Sequence, residues 1–283
     1  MNEQTLFLLE KSIIVLAVFG GVMLVVALTT LIERRVAGFI QDRYGPNRVG
    51  PFGILQPAAD GLKNFLKEET MPAAAAQPYF WLGPVISLAP ALVTFAVVPF
   101  AAPLPIGNHV VEMIVADVPI GILYILALSS LGVYGVVMGG WASNNKYSFL
   151  GGLRASAQMV SYEVALGLAV VAVLLMAGNV TLTEMVWQQQ QLGFWFAFPI
   201  SLAFILFVIS AFAETNRTPF DMPEAESELV GGFHTEYSGM KYAMYPMGEY
   251  SHMLTSSALM ATLFFGGWDI PFWTGDDLSL IHI

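Results

Sequence analysis

Ser12-Ile-Ile-Val-Leu-Ala-Val-Phe-Gly-Gly-Val-Met-Leu-Val-Val-Ala-Leu-Thr-Thr-Leu-Ile32 runs for one bilayer thickness without a charged side chain. About 20 apolar residues suffice to cross the hydrocarbon core as a helix. Further stretches of this kind fall at Phe80–Phe100, Val118–Gly140, Ala157–Ala177, Phe194–Phe212 and Tyr242–Gly266. Of all residues 56% are hydrophobic and only 11% charged, which excludes an ordinary soluble domain. Lipid cannot satisfy backbone polar groups, so spans must be helices or closed strands, and their lengths indicate helices. The expected fold is all-α: a polytopic transmembrane bundle of about six spans.

Met1 to Thr5 carries no basic region or small-residue cleavage site, so Ser12–Ile32 reads as a permanent span rather than a removed signal. Six helices in 283 residues leave no room for a separate soluble domain, and no internal repeat is visible. Residues 1–277 are read as a single membrane domain. The absence of cysteine excludes disulfides, thiolate metal sites and cysteine-ligated clusters within this chain. His109, His234, His252 and His282 show no ligand spacing, so no metal site is expected.

Arg34, Arg35, Arg43, Arg48, Lys63 and Lys67 fall in the first loop, Lys146 and Arg154 in the third, and Arg217 and Lys241 in the fifth. Lys11 alone lies on the other side. Positive residues favour the cytoplasm, which places loops one, three and five there and both ends of the chain outside. The net charge of −10 does not oppose this, because acidic residues weigh little in topology.

In loop one, Leu55, Ala58, Ala59, Leu62, Phe65 and Leu66 recur at helical spacing, with Asp60, Lys63, Asn64 and Lys67 elsewhere around the wheel. This predicts an amphipathic helix at the membrane surface. Ahead of it, residues 44–53 are rich in turn formers and predict an ordered non-helical loop. A solvated basic loop that only fixes topology is the alternative.

Loop five carries Glu214, Asp221, Glu224, Glu226 and Glu228 between two apolar segments. Pro219 and Pro223 forbid a continuous helix, and Pro223–Leu229 predicts a short one with Glu224 and Glu228 on a shared face. Shielded from water, carboxylates this close cannot all ionise cheaply, and raised, coupled carboxylates can exchange protons near neutral pH. A solvated acidic face remains the alternative. Glu163 and Glu249 sit inside apolar segments, Glu214 closes the fifth, and Asp117 opens the third. Intramembrane carboxylates normally face a bundle interior, a cavity or a partner. Together with loop five they would form a proton or ion path. Pro246 predicts a kink in the sixth helix, and His252, one turn after Glu249, is a candidate hydrogen-bond partner for it.

Four stretches bring a family resemblance. Glu33-Arg-Arg-Val36 with Gln41 to Lys63 closely resembles the first loop of the H-subunit family of proton-pumping NADH-quinone oxidoreductase, respiratory complex I. Gly140–Tyr147, Ala157–Glu163, and Ala213–Asp221 through His234–Lys241 agree as well. The resemblance runs from Met1 to Trp268.

It implies a subunit joining the peripheral arm, whose partners hold NADH, FMN and iron–sulfur clusters, to small and antiporter-like membrane subunits. Quinone, either ubiquinone or menaquinone, would be the substrate, with no covalently bound cofactor and no nucleic acid. Glu33, Arg34, Asp60, Lys63, Arg217 and Phe220 become candidates for lining a quinone chamber framed by the first span, the surface helix and the sixth span. Glu214, Glu224, Glu226, Glu228, Glu163, Glu249 and Asp221 become candidates for proton relay and coupling. The setting would be a bacterial inner membrane, with both ends of the chain periplasmic. The family also continues past Trp268 into two further spans, making eight. The hexapeptide Leu278–Ile283 matches what a transposon-end library adapter encodes in one frame, so 278–283 is expected to be a non-native tail on a truncated chain. A related membrane-bound hydrogenase or formate hydrogenlyase anchor is an alternative, as is a carboxylate-based secondary transporter, although the inverted repeats of the latter are not apparent.

Overall fold

The computed structural model describes residues 3–106 and 109–268. The expected non-native tail, His282 and the side chain of Glu226 lie outside the described residues. The chain is a helical membrane protein. Its helices are α1 (Glu3–Ile40), α2 (Gln56–Leu66), α3 (Gln77–Val93), α4 (Gly121–Ala142), α5 (Lys146–Ala177), α6 (Leu182–Leu192), α7 (Ser201–Glu214), α8 (Glu226–Leu229) and α9 (Gly239–Phe264). A two-stranded antiparallel hairpin, β1 (Leu104–Ile106) with β2 (His109–Val111), lies between α3 and α4.

Helices α1, α3, α4 and α5 are long and apolar enough to span a bilayer. Helix α3 reaches that length through a 3-10 turn at Thr94–Val97. The expected span Phe194–Phe212 is only partly helical: α7 begins at Ser201 and has 14 residues. Residues 196–200 form turns, with the Ile200 amide donating to the Phe196 carbonyl at 3.2 Å. The Ala197 amide instead donates to the Phe264 carbonyl at the end of α9, 3.1 Å away. Helix α6 has no counterpart among the expected spans. It begins after Thr181, carries Glu184 in its first turn and stops at Gly193 in the left-handed region. Helix α9 has 26 residues and runs through Pro246 as one helix, so the expected kink does not break it.

Helix α3 packs on α4 and α9, α4 on α5, and α5 on α7, whereas α1 touches the bundle lightly through α9 and α2. The main core joins Ile122, Leu166, Val173, Phe207, Leu263 and Phe264 in the middle of the bundle. A second cluster joins Phe80 of α3 and Tyr245 of α9 to Phe233 and Tyr237 of the segment before α9. Close approach here depends on glycine. A Cβ at Gly139 would fall 2.0 Å from the Tyr245 hydroxyl, and one at Gly135 would fall 2.5 Å from the Ser87 amide nitrogen.

The surface helix appears at the expected place, as α2, after a turn-rich segment containing a 3-10 turn at Pro51–Gly53. Leu62, Phe65 and Leu66 on it remain exposed, as an amphipathic helix awaiting an apolar medium requires.

Candidate functional site

Loop five, residues 215–238, is fastened to its neighbours at several points. Arg217 Nη1 donates to Glu33 Oε1 at 2.9 Å, and the Tyr250 hydroxyl donates to Glu33 Oε2. The Arg217 guanidinium lies 4.4 Å from the centre of the Tyr250 ring. Glu33 on α1, Arg217 on the loop and Tyr250 on α9 thus form one clasp. On α5, Arg154 Nη1 donates to Glu228 Oε2 at 2.7 Å, and Tyr162 packs edge-on against Phe220. Asn145, the N-cap of α5, donates to Glu236.

The predicted helix Pro223–Leu229 is confined to Glu226–Leu229. Ahead of it the amides of Glu224 and Ala225 both turn back to the Asp221 carbonyl, at 3.1 and 3.0 Å. Packing fixes that turn: Gly232 has positive φ, and a Cβ there would lie 2.1 Å from the Pro223 carbonyl oxygen. The expectation that Glu224 and Glu228 share a face is therefore corrected. Glu224 turns to a cavity, whereas Glu228 is 62% exposed beside Arg154.

That cavity has a volume of about 500 Å³ and is walled by α1, α2, α9 and loop five. Met23, Val26 and Ala27 of α1 form its apolar side, and Met240, Met247 and the ring of Tyr250 form that of α9. Its polar side carries Arg34, Asp60, Arg217, Glu224, His234 and Glu249. Arg34 on α1 is paired with Asp60 on α2, and Gln56 Nε2 also donates to Asp60 at 3.0 Å. The two helices are thereby held at the cavity mouth.

Of the residues expected around a chamber, Arg34, Asp60 and Arg217 line this cavity, and Glu33 bonds to two residues that do. Lys63 and Phe220 do not line it. Lys63 is exposed on α2, and Phe220 packs against Tyr162.

The carboxylates fall into two groups. Glu249 on α9 has Glu224, Arg217, Asn216 and Glu33 around it. Glu214, closing α7, has Glu163 of α5 and the Ser129 hydroxyl beside it, and Glu163 accepts from Ser130 of α4. Asp221 is exposed on the loop surface, and Asp117, at the opposite end of the bundle, accepts from Thr183. His252 is not paired with Glu249: its Nε2 faces Gly132 of α4, 3.2 Å from where a Cβ would stand. It is a packed histidine.

His234 on the cavity wall is neutral near pH 7, because burial pushes it down from 6.5 to about 4. Tyr237 beneath it is pushed up to about 12 by burial and stays protonated, donating to the Phe80 carbonyl at 3.1 Å.

Tyr250 does not stand out in the sequence, and Asn216 and Gln158 lie within the resembling stretches Ala213–Asp221 and Ala157–Glu163 without being singled out there. Tyr250 is next to Glu249 and one turn before Leu254, and nothing in that spacing distinguishes it from a packed aromatic. Asn216 and Gln158 carry no charge, so a search for intramembrane carboxylates does not find them.

Residues 13–282 match the family model described as NADH dehydrogenase. The chain is 51% identical over 266 residues to the first of the NADH-quinone oxidoreductase H subunits of Cytophaga hutchinsonii, covering 94% of this chain and 78% of that protein. It is 51% identical over 268 residues to the second such H subunit of Geobacter metallireducens, covering 91% and 77%. The corresponding H subunit of Syntrophotalea carbinolica is 49% identical over 283 residues, covering all of this chain and 85% of that protein.

Proposed function

The chain belongs to the H-subunit family of NADH-quinone oxidoreductase, and from that membership we propose that its cavity admits a quinone and that its buried carboxylates couple quinone reduction to proton movement. The protein is a membrane subunit of an oxidoreductase complex, without a complete active site of its own.

One observation carries the reading. The cavity has an apolar side on α1 and α9 and a polar side on which Glu224 and Glu249 stand beside Arg217. A quinone tail is apolar and its head accepts hydrogen bonds and, on reduction, protons. Binding pockets of this size combine mostly apolar walls with a few placed polar groups. Arg217, oriented by Glu33 and Tyr250, is a fixed positive charge at the polar side, where negative charge would develop on reduction. Glu249 and Glu224 would respond by exchanging protons, and the response would pass through loop five to Glu214 and Glu163.

The partners on this reading are the peripheral subunits carrying NADH, FMN and iron–sulfur chemistry on the side of α2 and loop five. The small and antiporter-like membrane subunits would pack laterally. The membrane would be the bacterial inner membrane, with loops one, three and five cytoplasmic by the distribution of basic residues.

Glu249→Gln in the complete complex tests this. NADH–quinone activity, NADH–ferricyanide activity and proton pumping are compared in membranes, since ferricyanide takes electrons before they reach the quinone. Loss of quinone reduction or pumping with ferricyanide reduction intact supports the proposal; unchanged quinone reduction and pumping overturns it.

A further inference from the structure

Arg154, Gln158 and Tyr162 follow one another at four-residue spacing on α5, so they form a single stripe, and each meets loop five. Gln158 holds it most closely. Its Nε2 donates to the Ala213 carbonyl at 2.9 Å, to Asn216 Oδ1 at 3.1 Å and to the Phe220 carbonyl at 2.7 Å. Two amide hydrogens thus serve three acceptors, and residues 213 to 220 close around one nitrogen. The orientation of both amides follows. Backbone carbonyls only accept, so Gln158 must present its nitrogen, and Asn216 must then present its oxygen to Gln158. The Asn216 nitrogen is left on the side where Glu249 lies beside it. Asn216 is buried and held in the left-handed region at φ 50°, which asparagine tolerates better than most residues.

We infer that Gln158 is a positioning residue that holds loop five so that Glu214 faces Glu163 while Asn216 and Arg217 face Glu249 and Glu33. The two carboxylate groups stand on different helices, and the short connection from Glu214 to Arg217 joins them. Without Gln158 that connection keeps its residues but loses its common anchor. The inference rests on the proposed coupling role and adds to it the element that sets its geometry. Neither Gln158 nor Ala213, Asn216 and Phe220, to which it donates, lines the cavity, so its loss is expected to act on turnover more than on quinone binding.

The test uses the complete complex in bacterial membranes with Gln158→Met, which keeps length and removes the donor, Asn216→Gly, which suits the positive φ, and the two combined. Each single change is expected to lower kcat for a short-chain quinone about tenfold, as small misplacements at a reacting site do. KM, ferricyanide reduction and the amount of assembled complex stay unchanged. The double variant falls no further than the worse single, because both cut one chain of contacts. Normal turnover in Gln158→Met, or losses that multiply in the double variant, overturns the inference. If Gln158→Met fails to assemble, Asn216→Gly decides: a kcat loss without a KM change supports the inference, and normal turnover sinks it. Glu249→Gln separates the levels. Its full activity would remove the coupling proposal itself, whereas its failure beside a normal Gln158→Met would remove only the positioning role.

Discussion

Arg217 stacks on Tyr250, 4.4 Å from guanidinium carbon to ring centre, and both side chains end on Glu33. Three elements distant in sequence meet there. The Glu33 side chain is 49% exposed, so the ion pair by itself contributes about 0–1 kcal/mol. Its consequence is orientation: the Arg217 plane cannot turn without leaving the ring or the carboxylate. Tyr250→Phe keeps the stack and loses one hydrogen bond, worth about 1 kcal/mol. Quinone reduction in membranes is expected to fall about fivefold, since about 1.4 kcal/mol corresponds to a factor of ten. Arg217→Lys retains the charge but lacks the plane that reaches both partners, and its loss is expected to be larger than that of Tyr250→Phe.

Helix packing gives a prediction independent of mechanism. Gly139→Ala would drive a methyl group into the Tyr245 hydroxyl, where the Cβ position is only 2.0 Å away, and Tyr245 is itself buried among α3 and α4. The helices would have to separate, so assembled complex in membranes is expected to be lost. Gly167→Ala on α5 meets nothing within 4 Å and should leave the assembled amount unchanged. Native gel analysis of the two variants side by side distinguishes them.

The parts legible in the sequence are those governed by local periodicity. Long apolar runs mark α1, α3, α4 and α5, and the spacing of Leu55 to Leu66 marks α2. Where tertiary packing overrides local preference the reading fails. Pro223–Leu229 has the composition of a helix start, yet Gly232 pressed against the Pro223 carbonyl holds residues 221–225 in a turn. Glu224 and Glu228 consequently diverge, and only Glu224 reaches the cavity. The carboxylates Glu214, Glu163 and Glu249 are conspicuous because charge is rare in apolar segments. Tyr250, Asn216 and Gln158, which orient the site, belong to residue types common in cores and loops; the resembling stretches contain Asn216 and Gln158, but only three-dimensional contacts give them a role.

Loop one is fastened to the start of α9 by a second set of contacts. Lys241 Nζ lies 2.7 Å from Glu69 and 3.2 Å from the centre of the Trp81 ring, and Ser238 Oγ accepts from the Thr70 amide at 2.8 Å. Lys241 is only 6% exposed, whereas the Glu69 side chain is 38% exposed and can be rehydrated. Lys241→Met therefore leaves no fully buried lone charge, and the expected cost is about 1–2 kcal/mol, combining the lost cation–π contact and ion pair. Limited proteolysis of the purified complex should cut the segment after α2 faster in this variant. Equal cleavage rates would show that the contacts do not hold loop one.

His234 gives loop five a dependence on pH whose sign follows from its burial. Its folded-state pKa is depressed from 6.5 to about 4, so between these values the unfolded chain binds a proton that the folded chain does not. Stability from this residue is fully present above about pH 6.5 and is lost as the pH falls towards 4. Neutral imidazole sits against Phe233 and Tyr242, with ring centres 4.9 and 5.2 Å away, and its buried Nδ1 has no hydrogen-bond partner among the described residues to stabilise a proton. His234→Gln has no charge to acquire. Thermal denaturation of the detergent-solubilised complex, measured at pH 7.5 and 5, should show a smaller drop in Tm for the variant than for the wild type. An equal drop in both would mean that His234 is solvated in the folded protein and titrates as an ordinary surface histidine.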